Sequence, residues 1–148
     1  MKNRYILNES FGFIASRLNR AMNRKLLANF KEVDHPITTE QYGLLVHLWD
    51  KDGRCQQELC CSTGKDKPSI TRLLDHLEKL NLIERIPDKD DKRMKVIYLT
   101  QKGKDLKVPS TELALKTLDE MTDGIDEHDL HLAKEVMRKV INKFDSIE

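Results

Sequence analysis

Between Lys65 and Lys95 the chain mixes cations with hydroxyl and carboxylate side chains, a combination suited to gripping a polyanion. Arg72 offers a planar fork of donors that matches a base edge or a phosphate, and Ser69 and Thr71 beside it can donate or accept. Lys65, Lys67 and Lys79 are point charges that suit phosphates, which position a partner without reading its sequence. Further on, Asp91, Arg93 and Lys95 form a second group. An arginine can enter a narrow minor groove, and an acid two residues away can hold its guanidinium in orientation. Bond-breaking chemistry has no such support. The chain contains no Ser-His-Asp order, glycine-rich phosphate loop or HExxH pattern, so no catalytic residue is expected. His128 and His131 share a helical face at i, i+3, but no set of Cys or carboxylate ligands at structural spacing surrounds them, and neither a metal nor a cofactor is expected.

The elements that must position these groups follow from apolar spacing. Phe11, Ile14, Leu18, Met22 and Leu26 predict an amphipathic first helix from Asn8 or Ser10 to about Phe30. Thr38-Thr39-Glu40-Gln41 reads as a capping box opening a second helix, which Lys51-Asp52-Gly53 closes. A short third helix is expected over residues 55–62, around Leu59, with Thr63-Gly64-Lys65 as the turn into a fourth. Asp66 is the expected N-cap of that fourth helix, Pro68 stands in its first turn and Asn81 stops it. Ile70, Leu73, Leu74, Leu77 and Leu80 form its apolar stripe. At 100° per residue Lys65, Pro68, Arg72, Asp75, His76 and Lys79 then point away, with Ser69 and Thr71 on the flanks. Residues 82–86 and 96–99 read as strands of a hairpin around the charged stretch 87–95. Thr100 caps a fifth helix that carries Leu106, Leu113, Leu118 and Met121 to about Gly124, with a kink or break expected at Pro109. Asp126 caps a sixth, striped by Leu130, Ala133, Val136, Met137, Val140, Ile141 and Phe144.

A short helix, a tight glycine turn, a second helix with a polar outer face and a basic-tipped hairpin make a winged helix-turn-helix. The fold class expected is mainly α (α+β winged helix), with six helices and a two- to three-stranded wing. Here the sequence resembles the MarR family. The resemblance is carried by Gln57-Glu58-Leu59, by the run from Asp66-Lys67-Pro68-Ser69-Ile70-Thr71-Arg72 to Leu80, and by Asp91-Lys92-Arg93-Met94-Lys95-Val96 through Gly103. It is strongest over residues 37–106. Asn81 stands where the family usually has Gly, Lys89 replaces the usual wing Pro, and Pro109 interrupts a helix that is normally continuous.

The resemblance implies a homodimer, built from an N-terminal helix (1–36) and C-terminal helices (106–148), that carries a DNA-binding lobe (37–105). Double-stranded DNA is the implied partner, as a pseudo-palindromic operator whose half-sites lie roughly 10 bp apart. A repressor relieved by a small molecule bound between the lobes is the implied mode of action. The residues expected to meet DNA are Lys65, Lys67, Pro68, Ser69, Thr71, Arg72, His76, Asp91, Arg93 and Lys95. The resemblance also implies that Leu59-Cys60 occupies the place of a buried Leu-Ala pair, which would make Cys60 a small core residue, while Cys61 is expected to face outward. Two alternatives are a winged-helix module that binds protein and a regulator controlled by thiol oxidation.

Bulk properties agree with this reading. The net charge is only +1, but it is unevenly spread: nine Lys/Arg against seven Asp/Glu over residues 1–64, twelve against eight over 65–107, and five against ten over 108–148. A basic centre on an acidic scaffold suits a local phosphate contact. Three crowded cysteines are no disulfide framework, and the first residues, Met1 to Glu9, lack the apolar stretch of a signal peptide. A cytoplasmic protein with no membrane partner is expected.

Overall fold

The helices begin where the sequence supplies side-chain oxygens to the free N–H groups of a first turn. In a computed structural model, which describes residues 6–145, a short 3-10 turn (Leu7–Glu9) leads to Ser10, whose hydroxyl accepts the Phe13 N–H at 3.3 Å and opens α1 (Phe11–Glu32). Thr38 and Gln41 close the expected capping box, at 3.2 and 2.9 Å, at the start of α2 (Thr39–Asp50). After β1 (Arg54–Cys55) come α3 (Gln56–Thr63) and α4 (Lys67–Lys79), the latter capped by Asp66 through the Ser69 N–H at 2.8 Å. The strands β2 (Ile83–Pro87) and β3 (Lys95–Leu99) follow, and Thr100 caps α5 (Gln101–Asp105). The chain continues through α6 (Lys107–Thr122) and α7 (Glu127–Asp145). Residues 1–5 and 146–148, the outer ends of both expected dimerisation segments, lie outside the described residues.

Asn81 does end α4 as a left-handed residue, with φ 62°. The Asn81 N–H reaches the Glu78 carbonyl at 2.9 Å and the Leu82 N–H reaches the Leu77 carbonyl at 3.0 Å, the paired bonds of a Schellman motif. This sharp stop delivers the chain directly into the wing. The sheet has the order β1-β3-β2, all antiparallel, with Ile83 opposite Leu99, Arg85 opposite Ile97, and Cys55 opposite Val96. Three strands are therefore present, and Cys55, expected in a helix, belongs to the first of them. The fifth helix of the expected plan is divided at Leu106, three residues before Pro109. The displacement has a simple cause. Proline disfavours a helical residue before it but loses no hydrogen bond in a first turn, so the break precedes it and Pro109 sits where its missing N–H does no harm.

By contacts the chain forms two compact units, residues 1–117 and 118–148. The first holds a core in which Leu44, Leu45, Leu48, Leu59, Ile70, Leu74, Leu77, Leu82, Ile83 and Ile97 are essentially inaccessible. Phe30 of α1 meets Tyr42 edge-on at 5.8 Å, and Tyr42 lies 5.9 Å from Trp49, so an aromatic row fastens α1 to α2. Two polar pairs join α1 and its exit to α6: Asn29 donates to the Thr117 hydroxyl at 2.8 Å in a buried contact, and half-buried His35 places Nε2 2.8 Å from the Ser110 hydroxyl. In the second unit Asp126 accepts the His128 N–H at 2.8 Å and starts α7, none of whose residues is buried. Among the described residues no helix is long and apolar enough to cross a membrane.

Gly103 is buried where α5 meets the end of α4, and its carbonyl accepts the Trp49 indole N–H at 2.9 Å. A Cβ there would stand 2.1 Å from the Leu82 carbonyl oxygen, so Gly103→Ala should destabilise the fold by about 2–3 kcal/mol in denaturant titration. An unchanged midpoint would show that the backbone yields. Burial holds the His35 imidazole below its usual pKa of 6.5, which favours the neutral ring in the folded state. The stability this contributes is present above pH 6.5 and is lost as pH falls through that value toward the folded pKa. Thermal unfolding at pH 7.5 and pH 5.5 should therefore show a smaller acid loss in His35→Gln than in the unaltered chain. Equal losses would remove His35 as the cause.

Candidate nucleic-acid interface

The fourth helix is displayed by the way its neighbour holds it. Gly64, at φ 67°, ends α3 with its N–H on the Cys60 carbonyl at 2.9 Å and turns the chain into Asp66. Gln56 at the start of α3 then reaches across the turn, its amide donating to the Thr71 hydroxyl at 2.6 Å and to the Lys67 carbonyl at 3.4 Å. Thr71 itself donates to the Lys67 carbonyl at 2.9 Å. Its hydroxyl is thus engaged as both donor and acceptor within the lobe, and Gln56 is the residue that sets the spacing of the two helices. Ser69 is likewise drawn into the cap. Hydrogen bonds from its side chain and backbone hold the Asp66 carboxyl below its usual range.

The rest of the outer face is open. Lys67, Pro68, Arg72, His76 and Lys79 are exposed, and Lys65 is half-buried beside them. Asp75 shares this face but is committed elsewhere: the Arg85 guanidinium of β2 binds it closely and lies 3.5 Å from Glu78 through Nε. That second approach is an ion pair without hydrogen-bond alignment, since Arg85 Nε is buried and unmatched. The hydrogen bond from Arg85 is the main reason the Asp75 carboxyl titrates below its usual value. Arg85 therefore fastens the wing to α4 and offsets part of the negative charge that Asp75 and Glu78 place on that helix.

The wing tip is organised by a residue outside the expected set. The Asp88 carboxylate accepts the N–H groups of Asp90 at 2.8 Å and Asp91 at 3.1 Å, and the Asp88 N–H donates to the Met94 carbonyl at 2.8 Å. Asp91 accepts the backbone N–H of Arg93 at 3.0 Å. Its contact is with the Arg93 backbone, whereas the sequence suggested the guanidinium. The effect is to shape the turn and leave the Arg93 side chain exposed, with Lys92 and Lys95 on either side. At the base of the wing the Asp52 carboxylate accepts the Leu99 N–H at 2.9 Å, and Arg54 bonds Asp50, the Lys51 carbonyl and Ser62.

Each positioning residue left a sequence signal of different strength. Arg85 stands at the inward parity of its strand, in phase with Ile83, where a cation needs a partner. Asp88 follows Pro87, as side-chain-closed turns often do. Gln56 left none, because its partner lies fifteen residues away across a turn. Among the described residues no group of three or more His, Cys, Asp or Glu is placed to hold a metal ion.

A helix pair joined by a tight turn, a second helix open along its polar face and a braced basic hairpin define a winged helix-turn-helix of the regulator class. The MarR family model matches residues 37–95. The HTH-type transcriptional regulator SarZ of Staphylococcus saprophyticus is 37% identical over 121 residues, covering 81% of this chain and 80% of that protein. An uncharacterized HTH-type transcriptional regulator of Bacillus subtilis, YybA, is 32% identical over 99 residues, covering 67% of this chain and 61% of the relative. The match spans less than two thirds of that relative's length, and 40% of another curated relative's. The crystal structure of an S. aureus MepR-DNA complex has the same fold, with TM-score 0.78 at 24% identity over 90% of this chain and 98% of that one. The chain belongs to the MarR family, and its curated relatives are regulators, not enzymes.

The brace between wing and helix is testable on the folded protein alone. In a double-mutant cycle of Arg85→Gln and Asp75→Asn, the two losses of stability should add to more than the loss in the double variant, because each removes the same contact. Simple additivity would show that the pair does not couple β2 to α4.

Proposed function

We propose that the chain is a cytoplasmic, sequence-specific repressor that binds double-stranded DNA as a homodimer on a pseudo-palindromic operator. The observation that carries this reading is the outer surface of α4 and the wing, where exposed cations stand on elements locked from beneath by apolar burial. In this reading Arg72 reads a base edge, with Pro68, Ser69 and His76 lining the same groove. Lys65, Lys67 and Lys95 meet phosphates, and Arg93 enters the adjacent minor groove from a tip whose backbone Asp91 holds. Thr71 acts from within, through Gln56, by fixing the start of the reading helix.

Dimerisation is supported by surface that a lone chain leaves uncovered. Phe11, Ile14 and Leu18 of α1 are exposed, as are Leu132, Val136, Met137, Ile141 and Phe144 of α7. Such stripes mark interaction faces, and two-fold symmetry matches two half-sites. Repression follows if the dimer occludes DNA that the transcription machinery needs. Release by a small-molecule effector rests on family membership alone.

Selection from random duplex DNA with the full chain tests the proposal. An inverted repeat with half-sites roughly 10 bp apart is expected, bound by two chains per duplex in sedimentation. Arg72→Ala should lose discrimination at one or two positions, at a cost of about 1–3 kcal/mol there. Recovery of no enriched sequence would overturn the reading.

A further inference from the structure

The cleft lined by Cys60 of α3 and Lys95 of the wing belongs to the DNA-facing surface. A second hollow, of about 400 Å³, lies on α1 and is lined by Arg17, Arg20, Asn23 and Arg24. Its volume falls in the range of small-molecule sites. The helix that carries it has five Lys/Arg and a single acid, Glu32, at its last position. Arg17, Arg20 and Arg24 therefore stand three, four and seven residues apart with no carboxylate one turn away on either side. Like charges at such spacings destabilise a helix.

Among the described residues none of the three guanidiniums pairs with a carboxylate. Other arginines of the chain are matched: Arg54 reaches Asp50, Arg138 reaches Glu135, and Arg85 is held between Asp75 and Glu78. The α1 set is exposed yet partly oriented. Arg17 lies over the Phe13 ring, 5.9 Å from its centroid, and Asn23 donates one amide hydrogen to Asn19 at 3.4 Å, which leaves the other for an anion. At 100° per residue the three arginines fall within about 60° of one another and are turned roughly 120° from Phe11, Ile14 and Leu18. The hollow is thus separate from the face on which the proposed homodimer rests, and it runs about 10 Å along the helix.

We propose that this face of α1 binds a small polyphosphate and that Arg17, Arg20 and Arg24 hold its successive phosphate groups. Guanidinium forks match phosphate oxygens in pairs, and three of them on one helix meet several adjacent negative charges with no further ordering of the backbone. A single carboxylate would offset only part of the repulsion along the stripe, whereas a chain of phosphates reaches all three cations. The bound anion supplies the opposite charge that the sequence of α1 withholds, so it stabilises the folded chain by mass action. Neither the site nor its ligand class rests on the DNA-binding reading.

The test uses the full chain with inorganic tripolyphosphate, orthophosphate and ATP as probes, compared at matched ionic strength by calorimetric titration. Tripolyphosphate should bind about tenfold or more tighter than orthophosphate and should raise the midpoint of thermal unfolding. Arg20→Gln, at the centre of the set, should weaken that binding about tenfold or more, yet without anion it should unfold at the same or a higher temperature, because a repulsion is gone. Arg20→Lys, which keeps the charge and loses the fork, should bind with intermediate affinity. In NMR spectra of the arginine side chains, Arg17, Arg20 and Arg24 should shift on addition of tripolyphosphate. ATP separates two sources of the same chemistry: affinity equal to that of tripolyphosphate assigns the site to a phosphate chain alone, tighter binding assigns it to a nucleotide, and both support it. Absence of tripolyphosphate binding, unchanged binding in Arg20→Gln, or shifts confined to Arg72 and Arg93 would overturn the site. Loss of duplex DNA binding in Arg20→Gln alongside that absence would reassign the face to DNA and overturn it equally.

Discussion

Burial of Ile70, Leu73, Leu74 and Leu77 fixes the rotation of α4 about its own axis, and every outward residue of that helix follows from it. Each of these side chains contributes about 1.5–3 kcal/mol on leaving water, an upper estimate because the unfolded chain already shelters some of its surface. Turning the helix by one residue would swing the set through 100° and expose much of it. No polar contact on the outer face approaches that cost. Arg72 and His76 are thus presented outward because their apolar neighbours cannot be, and the surface proposed to meet DNA is a by-product of the core.

What burial does not set is the placement of the wing. A hairpin of five-residue strands has little apolar area of its own, and β3 is anchored because it lies between β1 and β2 with Ile97 and Leu99 turned into the core. Polar groups then fix its attitude: Asp52 on the Leu99 amide, Arg54 across the base, Arg85 on Asp75 and Glu78, and Asp88 within the tip. Exposed ion pairs add little to stability. Their value here is geometric, since each removes a direction in which the hairpin could swing, and Arg85 also offsets part of the negative charge on α4.

The same division between burial and polar contact runs through α1. Its end is held by Phe30, by Asn29 on Thr117 and by His35 on Ser110, all inside the first unit. Its beginning keeps Phe11, Ile14 and Leu18 in solvent. A helix so unevenly covered is only half used within its unit, and α7 buries none of its residues; these exposed faces are the ones on which the proposed homodimer rests. These two polar pairs are directional, so they set a register between α1 and α6 that apolar packing alone would leave loose.

Local chemistry is what the sequence by itself determined. Thr38, Asp66 and Thr100 cap the helices they were expected to cap, Ser10 caps a helix expected to start at Asn8 or Ser10, Asn81 takes the left-handed stop, and the stripe of α4 faces inward, because each outcome depends on residues within one or two turns. Strand limits shifted by a single residue and the break near Pro109 moved three residues upstream, within the slack that local preferences leave. The decisions reserved for the tertiary structure all join residues distant in the chain: Gln56 with Thr71, Arg85 with Asp75, Cys55 with Val96, and Cys60 with Lys95 across one cleft. Spacing along a chain records which residues share a helix face or a strand face. It carries no record of which polar side chain will meet which other once those faces are packed, and so Thr71 was expected to meet DNA and Asp75 only to point outward, whereas Gln56 and Arg85 engage them within the lobe.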